Sequence, residues 1–148
     1  MCPFAVLQDY LDRAGKAVLD NRFEIYRSLV QLPLELQTSS ARLRVTTEEE
    51  LLEGFDDYTD MLRGHGVTDM LRRVQVARFQ GNEHIVGIYD TRLMAGGRQV
   101  LPTFHSKMWI GAYDGVWKAI RINNTTKETR WPVLLTRLPT DQWFSEEP

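Results

Sequence analysis

One cysteine, Cys2, stands in 148 residues, which excludes an internal disulfide and a thiolate metal cluster. At its terminal position it reads as an exposed or lightly buried thiol. Charge of either sign is not in excess. The 18 Lys and Arg against 20 Asp and Glu leave a net charge of −2, with no field to attract nucleic acid or anionic lipid. No apolar run approaches the roughly 18 to 20 residues of a membrane span. Asp9 and Asp12 interrupt the only early apolar stretch, so no signal peptide is expected. The three histidines are scattered and no glycine-rich phosphate loop exists, so neither a metal nor an organic cofactor is expected. No internal repeat or low-complexity segment interrupts the chain. Together these absences point to a cytoplasmic protein.

What is present is ordinary globular material, 43% apolar and 26% charged, enough for one domain with a real core. Its organising stretch runs from Met70 to Asn124, where four long β-like segments are joined by the turn signals Gly81-Asn82, Gly96-Gly97 and Asp114-Gly115. Two-residue loops set Gln80 opposite Glu83, Ala95 opposite Arg98 and Tyr113 opposite Val116. Period-two alternation then collects Val74, Val76, Tyr89, Thr91, Phe104, Ser106, Met108, Ile110, Trp117, Arg121 and Asn123 on one face, with Arg72 toward a strand end. That face is the more apolar and is predicted to lie against helices. Val86, Ile88, Asp90, His105, Lys107, Trp109, Ile120 and Ile122 fall on the other face. Pro102 marks a place for a bulge in the long third strand.

Upstream, Pro3 suits a first helical turn, and Phe4, Leu7, Leu11, Ala14 and Val18 follow at helical spacing. Asp20-Asn21 breaks that helix and can cap a short second one. From Phe23 to Val30 the apolar pattern fits helix and strand about equally well. After Pro33, Leu34 to Thr38 and Arg42 to Thr46 read as two short strands around Ser39-Ser40-Ala41. Thr46-Thr47 followed by Glu49-Glu50 is a capping-box signature. It opens a helix with the stripe Leu51, Phe55, Tyr58 and Leu62, stopped at Gly64-His65-Gly66. Its carboxylates, Glu49, Glu53, Asp56, Asp57 and Asp60, read as a solvated acidic face rather than a metal site.

This order, with Phe23 to Pro33 running into Leu34-Glu35-Leu36-Gln37-Thr38, Thr46 to Leu51, Gly66-Val67-Thr68-Asp69, Pro102 to Ile110 and Asp114 to Lys118, resembles the nuclear transport factor 2-like superfamily, SnoaL-like branch. The resemblance covers about residues 4 to 124. It implies an α+β, cystatin-like fold in which a curved, mostly antiparallel sheet wraps N-terminal helices and leaves a pocket, and it resolves Asn21 to Val30 as helix. It also implies dimers paired through their sheets. One domain over 1–124 is expected, followed by an apolar arm over 125–148. That arm either packs on its own domain, crosses to a partner or covers the pocket mouth.

Enzymes of the superfamily place an Asp or His inside the cone as base, often opposite a Tyr. The inward sheet face here offers no Asp, Glu or His, and His105 and Asp90 point away. The leading expectation is therefore a small-molecule-binding domain with a mostly apolar pocket. Its candidate ligand-binding residues are Tyr26, Tyr58, Arg72, Tyr89, Thr91, Phe104, Ser106, Trp117, Arg121 and Asn123, with Arg121 or Arg72 orienting an anionic group. The two helix tyrosines read first as core residues whose hydroxyls reach a rim, and second as ligand-binding groups. The alternative is a cofactor-independent isomerase, dehydratase or cyclase acting on a small carbonyl or polyketide-like substrate. In it Tyr26 or Tyr58 polarises a carbonyl, and His105 or a helix carboxylate is the base. A homodimer is expected through the outer sheet face, formed by Val86, Ile88, His105, Trp109, Ile120 and Ile122, which would otherwise be an exposed apolar patch. Nucleic acid and membrane are not expected partners.

Overall fold

Helix α1 (Pro3–Leu19) starts on Pro3, whose missing N–H costs nothing in a first turn. It buries Leu7, Tyr10, Leu11, Ala14, Gly15, Ala17 and Val18, a stripe at helical spacing, while Phe4 remains 44% exposed. In the computed structural model, which describes residues 1–38 and 42–124, this helix is the spine against which a sheet closes. Asn21, at φ 56, turns the chain, and the cap of the short helix α2 (Phe23–Ser28) is Arg22 rather than the Asp20-Asn21 pair. Helix α3 (Glu48–Gly64) carries the capping box in full. Thr47 Oγ1 accepts from Glu50 N at 3.1 Å, and the Glu50 carboxylate accepts from Thr47 N at 3.3 Å.

The strands are β1 (Val30–Gln37), β2 (Arg42–Val45), β3 (Asp69–Phe79), β4 (His84–Ala95), β5 (Arg98–Gln99), β6 (Phe104–Tyr113) and β7 (Val116–Asn124). They form one mixed sheet in the order β2-β1-β7-β6-β4-β3, with the stub β5 on β4. All pairs are antiparallel except β1 on β7. Strand β1 starts at Val30, earlier than the sequence places it, and runs through Pro33. That proline is tolerated because neither β2 nor β7 pairs with it; pairing on β2 begins at Leu34, and the β7 register skips from Val30 to Glu35.

Two of the three hairpins close as predicted, with Ala95 opposite Arg98 and Tyr113 opposite Val116. Asp114 and Gly115, at φ 52 and 78, supply the positive φ pair that a type I′ turn needs. The first hairpin differs. Gln80 N donates to His84 O at 2.8 Å, so Phe79 faces Ile85 and the loop holds one residue more than expected. A bulge between Val74 and Val76 takes the extra residue back, so Val74 still faces Tyr89 and Arg72 faces Thr91. Between the two shifts the faces are exchanged: Val76 is 55% exposed, and Ala77 packs on the core.

A second bulge between Trp109 and Ile110 corrects the far end of β7. Ile120 and Arg121 together oppose Trp109, and Ile122 faces Met108. Ile122 thus joins the core, whereas Arg121 and Asn123 take the outer face beside Trp109 and Lys107. The inner face and the helices enclose two connected apolar clusters, one around Leu7, Leu11, Leu34, Ile85 and Ile110, the other around Val18, Phe55, Leu62, Leu93 and Phe104. No helix among the described residues is long and apolar enough to cross a membrane. The expected arm over 125–148 and the Ser39-Ser40-Ala41 loop lie outside the described residues.

Candidate functional site

Between the inner sheet face, the β1–β2 hairpin and helices α1 to α3 lies a cavity of about 140 Å³. Its wall is mostly apolar: Ala14, Val18, Leu34, Leu36, Leu43, Val45, Leu51, Phe55, Phe104, Met108, Ala119 and Ile122. The cavity also explains a glycine. Gly54 lies inside α3, where glycine costs about 0.5–1 kcal/mol against alanine, yet no atom lies within 4 Å of where its Cβ would stand. Helix α3 gives up stability there and leaves open space.

The polar groups gather around Arg72. From β3 the half-buried guanidinium sits 5.8 Å from the centre of the Tyr89 ring and hydrogen-bonds the Tyr58 hydroxyl of α3. Its Nε is buried with no hydrogen-bond partner, so the Tyr58 bond uses a terminal nitrogen. Directly across the strands, Thr91 Oγ1 is also buried and unpartnered. Tyr26 of α2 completes the group, with its ring 5.1 Å from Phe55. The Tyr58 hydroxyl also lies 4.0 Å from Met70 Sδ.

The electrostatics are those of one cation among neutral phenols. Burial pushes the Tyr26 hydroxyl up to about 12, against a smaller opposing pull from Arg72, and burial raises Tyr58 likewise. Both are therefore hydrogen-bond donors at neutral pH. Burial disfavours the charge on Arg72, but the surrounding Tyr58, Tyr89 and Tyr26 outweigh it and the net shift is upward. No ion pair to Arg72 occurs among the described residues.

Gln8 of α1 holds Arg72 in place through its backbone. Its side-chain amide donates to Arg72 O at 2.7 Å and accepts from Val74 N at 3.0 Å, acting as one more rung on the edge strand β3. Tyr10 also lines the cavity, but its hydroxyl is committed to Leu29 O at 2.6 Å and its role is structural. Two carboxylates reach the cavity, Glu50 and Asp57. Glu50 is held below the usual carboxylate range by hydrogen bonds from Thr46 and Thr47, and Asp57 is exposed.

Of the sequence candidates, Tyr26, Tyr58, Arg72, Tyr89, Phe104 and Ser106 line this one cavity. Thr91 is inward and fully buried behind them. Trp117 packs on the core away from the cavity wall. Arg121 and Asn123 lie on the other side of the sheet because of the β7 bulge. His105 faces Asp90 on the exposed side, away from the cavity. Sequence reasoning missed Tyr10 and Gln8 as contributors. Tyr10 had a signal, since it completes the Leu7, Leu11, Ala14 stripe of α1; the clamp made by Gln8 had none. Among the described residues no group of three or more His, Cys, Asp or Glu could hold a metal ion.

The architecture has solved counterparts. A nuclear transport factor 2-like protein of unknown function from Shewanella oneidensis MR-1 superposes with a TM-score of 0.66 at 12% identity, covering 84% of this chain and 100% of that one. A nuclear transport factor 2-like protein from Cytophaga hutchinsonii ATCC 33406 gives 0.64 at 17% identity, covering 85% and 99%. A protein of unknown function with a cystatin-like fold from Nostoc punctiforme PCC 73102 gives 0.62 at 17% identity, covering 86% and 92%. No protein-family model matches the chain, and no curated protein matches it by sequence. The chain has the nuclear transport factor 2-like, or cystatin-like, fold that its order of elements resembles.

Proposed function

We propose that this chain is a cytoplasmic small-molecule-binding domain of the SnoaL-like kind, taking a small, partly apolar ligand into the cavity between sheet and helices. The observation that carries the reading is the open space at Gly54, opposite a wall whose polar groups converge on Arg72. Gly54→Leu supplies the test. Its Cβ meets no atom within 4 Å and it replaces a poor helix former, so it should narrow the cavity while leaving stability unchanged or raising it by about 0.5–1 kcal/mol. Ligands found by thermal-shift screening of the native protein should lose their effect on the variant. Ligands that bind both proteins equally would move the site elsewhere.

The enzymatic alternative requires a base in the cavity. Glu50 is engaged by its cap and Asp57 faces solvent, while Tyr26 and Tyr58 keep their protons; this arrangement favours binding over proton abstraction. For assembly, we propose a homodimer through the outer sheet face, with Val76 replacing Ile122 beside Ile88, His105 and Ile120; Val86 and Trp109, expected there, are already buried within the single chain and offer a partner no apolar surface. The dimer's support is the exposed Val76 next to Ile88 in the register. Ile120→Lys should shift the sedimentation of a native dimer toward monomer, and a native monomer at micromolar concentration would remove the proposal.

A further inference from the structure

Resting on the binding reading above, we infer that the ligand is an amphipathic monocarboxylic acid, its carboxylate held by the Nε edge of Arg72 and its apolar body, about one ring in size, in the cavity. A buried Arg72 Nε without a partner is a donor that folding has removed from water and left unused. An arginine presents Nε and a terminal nitrogen as a planar fork that fits one carboxylate with two parallel hydrogen bonds. Arg72 Nε is the donor without a partner, so the Nε side of the fork is the one available to a ligand. Thr91 Oγ1, unpartnered on the position directly opposite, offers a second idle polar group at the same level of the sheet.

The charge balance selects the head group. Of the two carboxylates on the wall, Glu50 is engaged by Thr46 and Thr47 and Asp57 is exposed, and neither forms an ion pair with Arg72. One negative charge at Arg72 therefore completes the set of one cation and three phenols. A phosphate, with up to two charges and three acceptor oxygens, would ask for a further cation that the cavity wall does not supply. Neutral Tyr26 and Tyr58 donate to a carboxylate rather than repel it. The volume selects the body. A cavity of about 140 Å³ is close to the dry cavities that take up benzene, and Leu34, Val45, Leu51, Phe55 and Met108 give it an apolar wall.

Calorimetric titration with benzoate and its neutral counterpart benzyl alcohol tests this. The native protein should bind benzoate tighter by about tenfold or more, the usual gain from hydrogen bonds to a charged group. Arg72→Leu should remove most of that preference. Should Arg72→Leu fail to fold, Tyr58→Phe takes its place, with a smaller loss of preference expected. Equal binding of both probes, or tighter binding of the alcohol, would overturn the carboxylate assignment while leaving small-molecule binding intact. A benzoate preference undiminished in the variant would place the anion site elsewhere and overturn it as well. Failure of both probes to bind would overturn this inference and the binding reading together.

Discussion

The two faces of the sheet each carry a cation–aromatic assembly, and they are built on opposite terms. On the outer face Trp109 is fully buried between two cations, with Lys107 Nζ 4.9 Å and Arg121 Cζ 4.8 Å from its ring centre. Arg121 there is served by its own chain, through Gln37 Oε1 at 3.1 Å and Asn123 Oδ1 at 3.4 Å. On the inner face the ratio is reversed, one cation among three phenols; both faces keep idle buried donors, Arg72 Nε inside and Trp109 Nε1 and Asn123 Nδ2 outside. Outside, aliphatic stems and charges cover an aromatic ring, which is packing. Inside, a charge is brought into a mostly apolar cavity whose two carboxylates, Glu50 and Asp57, make no ion pair with it. The cation without an ion pair, rather than an idle donor, sets the inner cluster apart, and it supports the proposal that the site lies there.

The sharpest way to break this contrast is to remove the centre of the outer assembly. Trp109 is the largest fully buried side chain among the described residues, so Trp109→Ala should cost about 3–5 kcal/mol in chemical denaturation. A loss under about 1 kcal/mol would mean that the cations, not the ring, organise that face.

The alkaline titration separates the inner cluster from the rest. Tyr26 has its folded value pushed up from 10.0 to about 12, so the folded state holds that proton more tightly than the unfolded chain. Its contribution to stability is complete below pH 10 and is lost as pH rises through about 12. Denaturation midpoints should therefore fall over that window, and Tyr26→Phe should flatten the fall. An equally steep fall in the variant would assign it to Tyr10 or Tyr58, whose hydroxyls burial also raises.

A smaller effect is expected at the clamp. Gln8→Ala removes two part-buried hydrogen bonds to β3 and should cost about 1–2 kcal/mol. Because those bonds hold the β3 backbone at Arg72 and Val74, just ahead of the bulge, ligand affinity should fall with it. Unchanged affinity would show that Arg72 is positioned by Tyr58 alone.

Much of this architecture was legible because turns and stripes are local. Asp114-Gly115 and Gly96-Gly97 fixed their hairpins, the Thr47–Glu50 box fixed the start of α3, and alternation along β4 and β6 put Tyr89, Phe104 and Ser106 on the cavity side. The two failures came from a longer first hairpin loop, which the β3 bulge takes back, and from the β7 bulge, neither of which strict alternation can represent. The phase changes at Gln75-Val76 in β3 and at Ile120-Arg121 in β7, pairs that nothing in the sequence marks. Reading through those pairs placed Arg121 and Asn123 inside and Ile122 outside. Arg72 kept its place because the extra loop residue and the β3 bulge cancel before the strand reaches it. The Gln8 clamp was invisible, since a helix amide bonding a strand edge depends on a distance in space that no spacing in the chain encodes.

The smallest expected effect on stability bears most directly on the contrast between the faces. If Arg72 were there for the fold, Arg72→Leu would remove its bond to Tyr58 and its contact with Tyr89 and destabilise the protein, as truncating a satisfied buried group does. If it is there for a ligand, the unliganded protein already bears the cost of a half-buried charge with an unmade hydrogen bond. Leucine then removes that cost and adds apolar contact with the surrounding wall, offsetting the interactions lost. The expected change in unfolding free energy without ligand is thus less than about 1 kcal/mol in either direction. A loss of about 3 kcal/mol or more would instead make Arg72 a structural residue of the same standing as Trp109, and the two faces would no longer differ in kind.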